Sequence, residues 1–288
     1  MALRLARGKV TGIPFTQARR MGGVITPTIL ILHDTASRLE KGRAAAYLAD
    51  NTASVSVHFV IERDGSIVQQ VPIGRAAFHA GRSSYNNRKN CNDFSIGIEI
   101  VNAGRMDPAG PDKARAWWGE TFDRAALGIV QAAPATHGPG LWMAYTPEQI
   151  EAVLTLGSFL FAQVPTLMDV VTHWYVAPGR KTDTNPLFPL ASVKARIMGR
   201  DDPAALAADR EAAPVKGDDQ FVKVNAPADS VNLRTWPSFN PNVIAQVPDG
   251  AVVPVLSRGV FEGRSWLKVI YGGHEGWVIG RYTQPVSM

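Results

Sequence analysis

One cysteine, Cys91, stands among 288 residues, so no disulfide can close within the chain, and folding in a reducing compartment is the simplest expectation. No apolar run reaches the roughly 18 residues of a membrane span. The first twenty residues are basic, but no apolar stretch of about 7 to 15 residues or small-residue cleavage site follows them. The expectation is therefore synthesis in the cytoplasm without a secretory signal, any export using another route. A His-Glu-x-x-His helix is missing, which excludes the common zinc-protease pattern. Zinc-finger spacing and interleaved aromatic and basic residues are missing too, so nucleic acid is not an expected partner. Acidic residues are absent before Asp34, whereas Arg4, Arg7, Lys9, Arg19 and Arg20 precede it. These five cations equal the net charge of +5 and make residues 1–23 a basic arm, solvated or able to touch an anionic polymer.

What is present reads as two modules. Hydrophobic residues make up 45% of the chain and charged residues 19%, a globular composition, and the length suits two domains. Residues 24–32 form an apolar, β-branched run that ends at His33, as a buried strand delivering a polar side chain would. Residues 43–48 look helical. Residues 57–62 and 66–71 flank Arg63-Asp64-Gly65, a hairpin signal. Residues 94–101 are a further strand, with Glu99 between Ile98 and Ile100. Thr146-Pro147-Glu148-Gln149 combines an N-cap, a proline at the first helical position and a capping-box glutamine, which predicts a helix to about residue 163. Residues 168–172 then form a short strand into His173. This order predicts an α/β domain over 24–199, its central mixed sheet flanked by helices. Residues 103–144, rich in Gly, Pro and Ala with Trp117-Trp118 among them, read as a long surface excursion, either a lid or an elaboration packed on the domain. Residues 200–220 are an acidic Ala/Pro linker. Residues 221–288 alternate short β-rich runs with turns, as in a small all-β barrel.

The chemistry gathers around Thr172-His173-Trp174-Tyr175-Val176-Ala177-Pro178-Gly179-Arg180-Lys181-Thr182-Asp183. Pro178 and Gly179 favour a reversal that lets His173 and Asp183 meet. His33 also lies at a strand end, so it pairs best with His173, and hydrolytic zinc needs three ligands with one position open. Glu99, a lone carboxylate in an apolar strand, suits a general base beside activated water, or else faces solvent. Lys181 or Arg180 can stabilise a carbonyl oxygen under attack. His58 reads as a core or ligand-supporting histidine, His79 as part of a loop near the cleft, and His137 and His274 as solvated.

Five segments carry a family resemblance: the His173 loop, His33-Asp34-Thr35-Ala36, Val57-His58-Phe59-Val60-Ile61-Glu62-Arg63-Asp64-Gly65, Phe78-His79-Ala80-Gly81, and Cys91-Asn92-Asp93-Phe94-Ser95-Ile96-Gly97-Ile98-Glu99. In this order, over about residues 24–190, they resemble the zinc-dependent N-acetylmuramoyl-L-alanine amidases of the peptidoglycan-recognition-protein fold. The resemblance implies one zinc ion held by His33, His173 and Asp183, and catalytic roles for Glu99 and Lys181. Asp34, His58, His79 and Arg180 are the candidate substrate contacts. The implied reaction is hydrolysis of the amide between N-acetylmuramic acid and the L-alanine of the stem peptide, in peptidoglycan or a muropeptide. Two departures stand out. Val57 occupies a position where some members have tyrosine, and Asp183-Thr184-Asn185-Pro186 replaces the usual Asp-Pro-Gly-Pro, with Asn185 expected to supply the positive φ of the missing glycine. Val231-Asn232-Leu233-Arg234, Trp266-Leu267-Lys268-Val269 and Gly276-Trp277-Val278 resemble a bacterial SH3 barrel, a module that contacts the cell wall. A wall-binding module without a signal peptide suits a phage or prophage endolysin acting on the wall. Ser83-Ser84-Tyr85 and Cys91-Asn92-Asp93-Phe94 instead resemble cytoplasmic amidases that recycle anhydromuropeptides. The same residues also suit a non-catalytic peptidoglycan-binding protein or a peptidase cutting within the stem peptide.

Overall fold

The computed structural model describes residues 3–134, 136–198, 221–227, 229–234, 237, 243–261 and 264–286. The linker expected at 200–220 lies outside the described residues. The chain divides into two units, Met1–Arg200 and Asp201–Met288.

The first unit opens with the antiparallel hairpin β1 (Arg4–Ala6) and β2 (Lys9–Thr11). Val10 is buried in the main core, with Leu3, Leu5 and Ile13 packed against it. The basic arm expected at 1–23 keeps Arg4, Arg7, Lys9, Arg19 and Arg20 exposed, while its apolar residues anchor it to the domain and Lys9 lies over the Phe15 ring.

β3 (Ile29–Asp34), α1 (Arg43–Ala49), β4 (Phe59–Ile61) and β5 (Ile67–Gln69) follow, then two short strands, β6 (Ser84–Tyr85) and β7 (Arg88–Lys89), before β8 (Ser95–Ile100). With β14 (Asp169–Thr172) these build a central sheet in the order β14-β3-β8-β4-β5. All neighbours are parallel except the β4–β5 hairpin, so the sheet is mixed. Side chains alternate across a strand, and Leu30, Leu32, Ile96, Ile98, Ile100, Phe59 and Ile61 share one fully buried face. Two helices cover it, α2 (Pro147–Gln163) through Val153, Leu156 and Leu160, and α4 (Leu190–Ile197) through Val193 and Ile197. α2 starts where its capping box predicts: Thr146 accepts from the Gln149 amide and Gln149 accepts from the Thr146 amide, an arrangement worth about 1 kcal/mol. The opposite face is only partly apolar. Ala44, Ala45 and Leu48 of α1 pack on Val60 there, and the remainder carries the polar cluster described below.

The excursion at 103–144 is a structured element. β9 (Arg105–Pro108), β10 (Lys113–Arg115), β11 (Thr121–Asp123), β12 (Ile129–Ala132) and β13 (Gly140–Met143) form an antiparallel sheet in the order β11-β10-β9-β13-β12. Met106, Ala114, Ile129, Leu141 and Met143 give it a small core of its own. After β14 comes α3 (His173–Val176), a single turn.

The second unit is an antiparallel seven-stranded sheet of β15 (Phe221–Val224), β16 (Ser230–Arg234), β17 (Val243–Pro248), β18 (Val252–Phe261), β19 (Arg264–Tyr271), β20 (His274–Ile279) and β21 (Thr283–Val286). Its inward residues include Leu233, Val247, Trp266, Val269 and Val278, and the SH3-like segments 231–234, 266–269 and 276–278 fall on β16, β19 and β20. His274 is exposed, as expected. Among the described residues, no helix is long and apolar enough to cross a membrane.

Candidate metal and catalytic centre

Strand register assembles the site. β14 runs parallel to β3 with Thr172 opposite Leu32, so His173, the next residue, falls beside His33. β8 runs along the other edge of β3 with Glu99 opposite His33. The chain then turns back on itself: Arg180 and Lys181 amides donate to the Ala177 carbonyl, Gly179 takes a φ of 74°, and the Trp174 amide donates to the Asp183 carbonyl at 2.7 Å. This closure returns Asp183 over His173.

His33 Nδ1 lies 2.9 Å from His173 Nδ1 and 3.3 Å from Asp183 Oδ2, and His173 Nδ1 lies 2.9 Å from the same oxygen. The three side chains form a group able to hold a metal ion, with ligand atoms within 4.8 Å of one another. Their hydrogen bonds show which atoms carry lone pairs. Ser95 donates its hydroxyl to the Cys91 carbonyl at 2.6 Å, so its oxygen accepts from His79 Nε2 at 3.3 Å. His79 Nδ1 then accepts from His33 Nε2 at 2.8 Å, and His33 Nδ1 is left unprotonated. His173 Nε2 faces the Ala80 carbonyl at 3.1 Å, nearer than the Arg180 guanidinium at 3.4 Å, and donates to it. Two imidazole lone pairs and a carboxylate oxygen so close repel unless a cation lies among them, and this donor set fits zinc.

Electrostatics agree with that fit. Burial, then the charge of His173, holds His33 down to about 4, so the ring is neutral near pH 7. Burial and the charges of His33, His58 and His173 push His79 well below its ordinary value. Burial opposes ionisation of Asp183, yet positive charge at His173 and His33 holds its carboxyl below the usual range, and with both rings neutral a cation between them would serve the same end. Glu99 is the opposite case. Burial, reinforced by Asp183 and Asp34, pushes its carboxyl well above the usual range, with Lys181 opposing. Its Oε2 is buried with no hydrogen-bond partner in the structure, a costly state for a polar atom.

The expected site residues separate into two sets. His33, His173, Asp183, Glu99 and Lys181 come together, and His79 joins them as the partner of His33. Three of the expected substrate contacts are held by hydrogen bonds within the protein, and two of them, Asp34 and Arg180, also line the cleft beside Asp183. Asp34 is one residue from His33 and so lies on the opposite face of β3, where it accepts from the Tyr145 hydroxyl at 2.5 Å and the Asn185 amide at 2.8 Å. Burial pushes its carboxyl up to about 7. His58 is wholly buried, accepting from the Gly97 amide at 3.0 Å and donating to the Arg75 carbonyl at 2.9 Å. Arg180 spends its guanidinium on the carbonyls of Ala80 at 2.6 Å and Arg82 at 2.9 Å, clamping the two loops together.

Two further expectations are corrected. His137 is buried and donates to the Thr184 carbonyl at 2.9 Å. Asn185 has no positive φ; instead its side-chain amide donates to the Met143 carbonyl at 3.0 Å and its oxygen accepts from the Leu187 amide at 2.9 Å. The folded excursion thus braces the rear of the ligand loop where Pro-Gly is replaced. Sequence reasoning missed Tyr145, Ser95 and Gly97. Ser95 and Gly97 had a signal, since they sit four and two residues before Glu99 on one strand face. Gly97 is needed for space: a Cβ there would lie 2.5 Å from His79 Cγ.

Residues 24–186 match the N-acetylmuramoyl-L-alanine amidase family model. The chain belongs to that family. Residues 229–284 match the bacterial SH3 domain. Among relatives of the amidase part, the chain is 34% identical over 135 residues to the 1,6-anhydro-N-acetylmuramyl-L-alanine amidase AmpD of Salmonella typhimurium, covering 46% of this chain and 52% of that protein. It is 30% identical over 179 residues to the N-acetylmuramoyl-L-alanine amidase AmiD of Escherichia coli, covering 59% and 53%. The chain spans about half the length of these relatives. A crystal structure of a selenomethionine AmpD derivative superposes with a TM-score of 0.49 at 26% identity, covering 68% of this chain and 98% of that one.

Proposed function

We propose that the chain is a zinc-dependent amidase that hydrolyses the bond between N-acetylmuramic acid and the L-alanine of the stem peptide. The observation that carries this reading is the convergence of three metal-ligand atoms beside a buried, unpartnered glutamate. His33, His173 and Asp183 would hold the zinc ion, which when bound would supply the Lewis acid that makes water nucleophilic near neutral pH. Glu99, whose raised carboxyl is a stronger base than a free one, takes the proton from the attacking water and returns it to the departing L-alanine amine. Lys181 stands on the Asp183 side of the cluster, where its charge offsets the negative charge that builds on the attacked carbonyl oxygen. Ser95 and His79 keep His33 in the tautomer that ligation requires, and Arg180 keeps the His173 loop against the Ala80 loop.

The bacterial SH3 domain favours the polymeric wall as substrate, because tethering a wall-binding unit to the amidase raises the local concentration of polymer. This is the reading of a wall-lytic enzyme, endolysin-like in use. A second reading, recycling of soluble 1,6-anhydromuropeptides in the cytoplasm, is favoured by the names of the AmpD relatives. Purified sacculi and soluble anhydromuropeptides, each incubated with zinc or with chelator, test both. Zinc-dependent appearance of a free L-alanine amine is the expected result. Faster turnover of sacculi supports the wall reading and faster turnover of soluble fragments the recycling one. No new amine from either substrate overturns the amidase assignment, and an amine from a residue further along the peptide indicates a stem peptidase.

A further inference from the structure

Two cavities flank the ligand cluster, and their linings differ in kind. On the Glu99 side a groove of about 450 Å³ is bounded by Thr35, Tyr47, Leu48, Trp117 and Trp118 as well as the carboxylate. On the Asp183 side a cleft of about 190 Å³ is bounded by Asp34, Arg105, Trp142, Arg180, Lys181 and Asp183 itself. Ala36 belongs to both. The first is aromatic and largely apolar, with Arg38 and Arg43 also in its lining, and the second is polar, three cations facing two carboxylates.

Trp117 decides what the first groove can hold. Its side chain is 76% exposed, yet its one polar atom is tied down, because Nε1 donates to the Ala36 carbonyl at 2.8 Å. An indole that is left in water but tethered is a preformed flat surface and contributes nothing to the core. Trp118 meets it edge-on with ring centroids 5.7 Å apart and donates to Glu120 at 2.6 Å. The same Glu120 oxygen holds Arg38 at 3.1 Å. The turn between β10 and β11 is thereby braced, so ordering the platform costs little on binding.

A sugar ring offers what such a groove recognises: a face of C–H groups that lies on an aromatic ring, with hydroxyls around the edge. A stem peptide, with its amides and carboxylates, matches the polar cleft instead, where Arg105 and Lys181 can pair with a carboxylate. We propose that the groove between Glu99 and Trp117 is a saccharide subsite, in which the Trp117 indole stacks on a sugar ring of the substrate while the Lys181 cleft receives the peptide. The inference rests on the amidase reading, which puts a sugar on one side of the scissile amide and a peptide on the other. It gives the excursion a role in substrate choice, since β9, β13 and the β10–β11 turn supply both cavities.

The test is calorimetric titration of the zinc-loaded full chain carrying Glu99→Gln, which removes turnover. The probes are N-acetylmuramoyl-tripeptide and D-lactoyl-tripeptide, which share the amide and the peptide and differ by the sugar. The parent is expected to bind the muramoyl probe about tenfold more tightly. Adding Trp117→Ala is expected to abolish that preference by weakening only the muramoyl probe, and the exposure of Trp117 leaves the core intact. An unchanged preference, equal weakening of both probes, or no muramoyl preference in the parent overturns the proposal. Failure of the amidase reading is seen separately, as no L-alanine amine released from the muramoyl probe by the wild-type chain, and it leaves the binding ratio readable.

Discussion

Ile98 and Glu99 are neighbours on one strand and belong to opposite regions of the molecule. The helix-covered face of the central sheet, with Leu30, Leu32, Ile96, Ile98 and Ile100, is wholly apolar and buried. The other face of the same two strands carries His33, Ser95, Gly97 and Glu99 and is nearly as well shielded. The first is stabilised by burial itself, at roughly 1.5–3 kcal/mol for each large side chain. In the second, burial is a cost that hydrogen bonds must offset, and at Glu99 Oε2, the base proposed above, no partner in the structure offsets it. One strand thus serves stability and chemistry with alternate residues.

The sharpest way to break this contrast is to exchange the outcomes of neighbours. Glu99→Gln is expected to lower the hydrolysis rate by about a thousandfold while leaving thermal stability equal or higher, because a neutral amide replaces a buried carboxyl. Steady-state kinetics and a melting curve on the same sample check it, and a matching loss of stability would show that Glu99 is structural. Ile98→Ala reverses the pattern: about 3 kcal/mol of stability is lost by denaturant titration, with the rate per folded molecule retained. A rate loss as large as that of Glu99→Gln would mean that the two faces are mechanically coupled.

Acid separates the faces as well. His58 has its folded value lowered by burial to about 4, against an ordinary 6.5. Between those values the unfolded chain binds a proton that the folded chain refuses, so this share of stability is complete above pH 6.5 and is lost as pH falls toward 4. The expected loss is on the order of 3 kcal/mol. His58→Gln, which can still accept from Gly97 and donate to Arg75, should make that limb of the stability profile shallower by this share, with His33 and His79 supplying the rest. An unchanged profile would mean that His58 titrates normally. The smallest expected effect lies at the edge of the metal cluster. His79→Ala and Gly97→Ala, by removing or displacing the ring that orients His33, should each weaken zinc binding by about 10- to 100-fold in chelator competition, with the fold retained. Unaltered affinity would sever His79 from the ligand geometry.

Much of this was legible before any coordinates. Alternation in 94–101 exposed Glu99 as an anomaly, the capping box at Thr146 marked the start of α2, and the Pro178-Gly179 turn implied that His173 and Asp183 meet. What stayed hidden depended on partners distant in the chain. Asp34 reads as a candidate substrate contact, and only the strand parity and Tyr145, 111 positions away, reveal its bracing role. His137 looked solvated because Gly138-Pro139 follows it, yet it closes on Thr184. Glycines and prolines in 103–144 resembled a loop, since a sheet of three- and four-residue strands leaves too little periodicity to detect.

The sequence by itself indicated the strands and helices of the central sheet, through alternation, capping and turn chemistry, and the presence of an amidase-like and an SH3-like part. Candidate ligand and base residues came from those patterns together with the family resemblance. Tertiary structure alone decided which nitrogen of each histidine carries the lone pair, how the rear of the ligand loop is held without Pro-Gly, and that an excursion builds a rigid aromatic wall beside Glu99. Each of those depends on hydrogen bonds and packing between segments far apart in the chain, which no local pattern encodes.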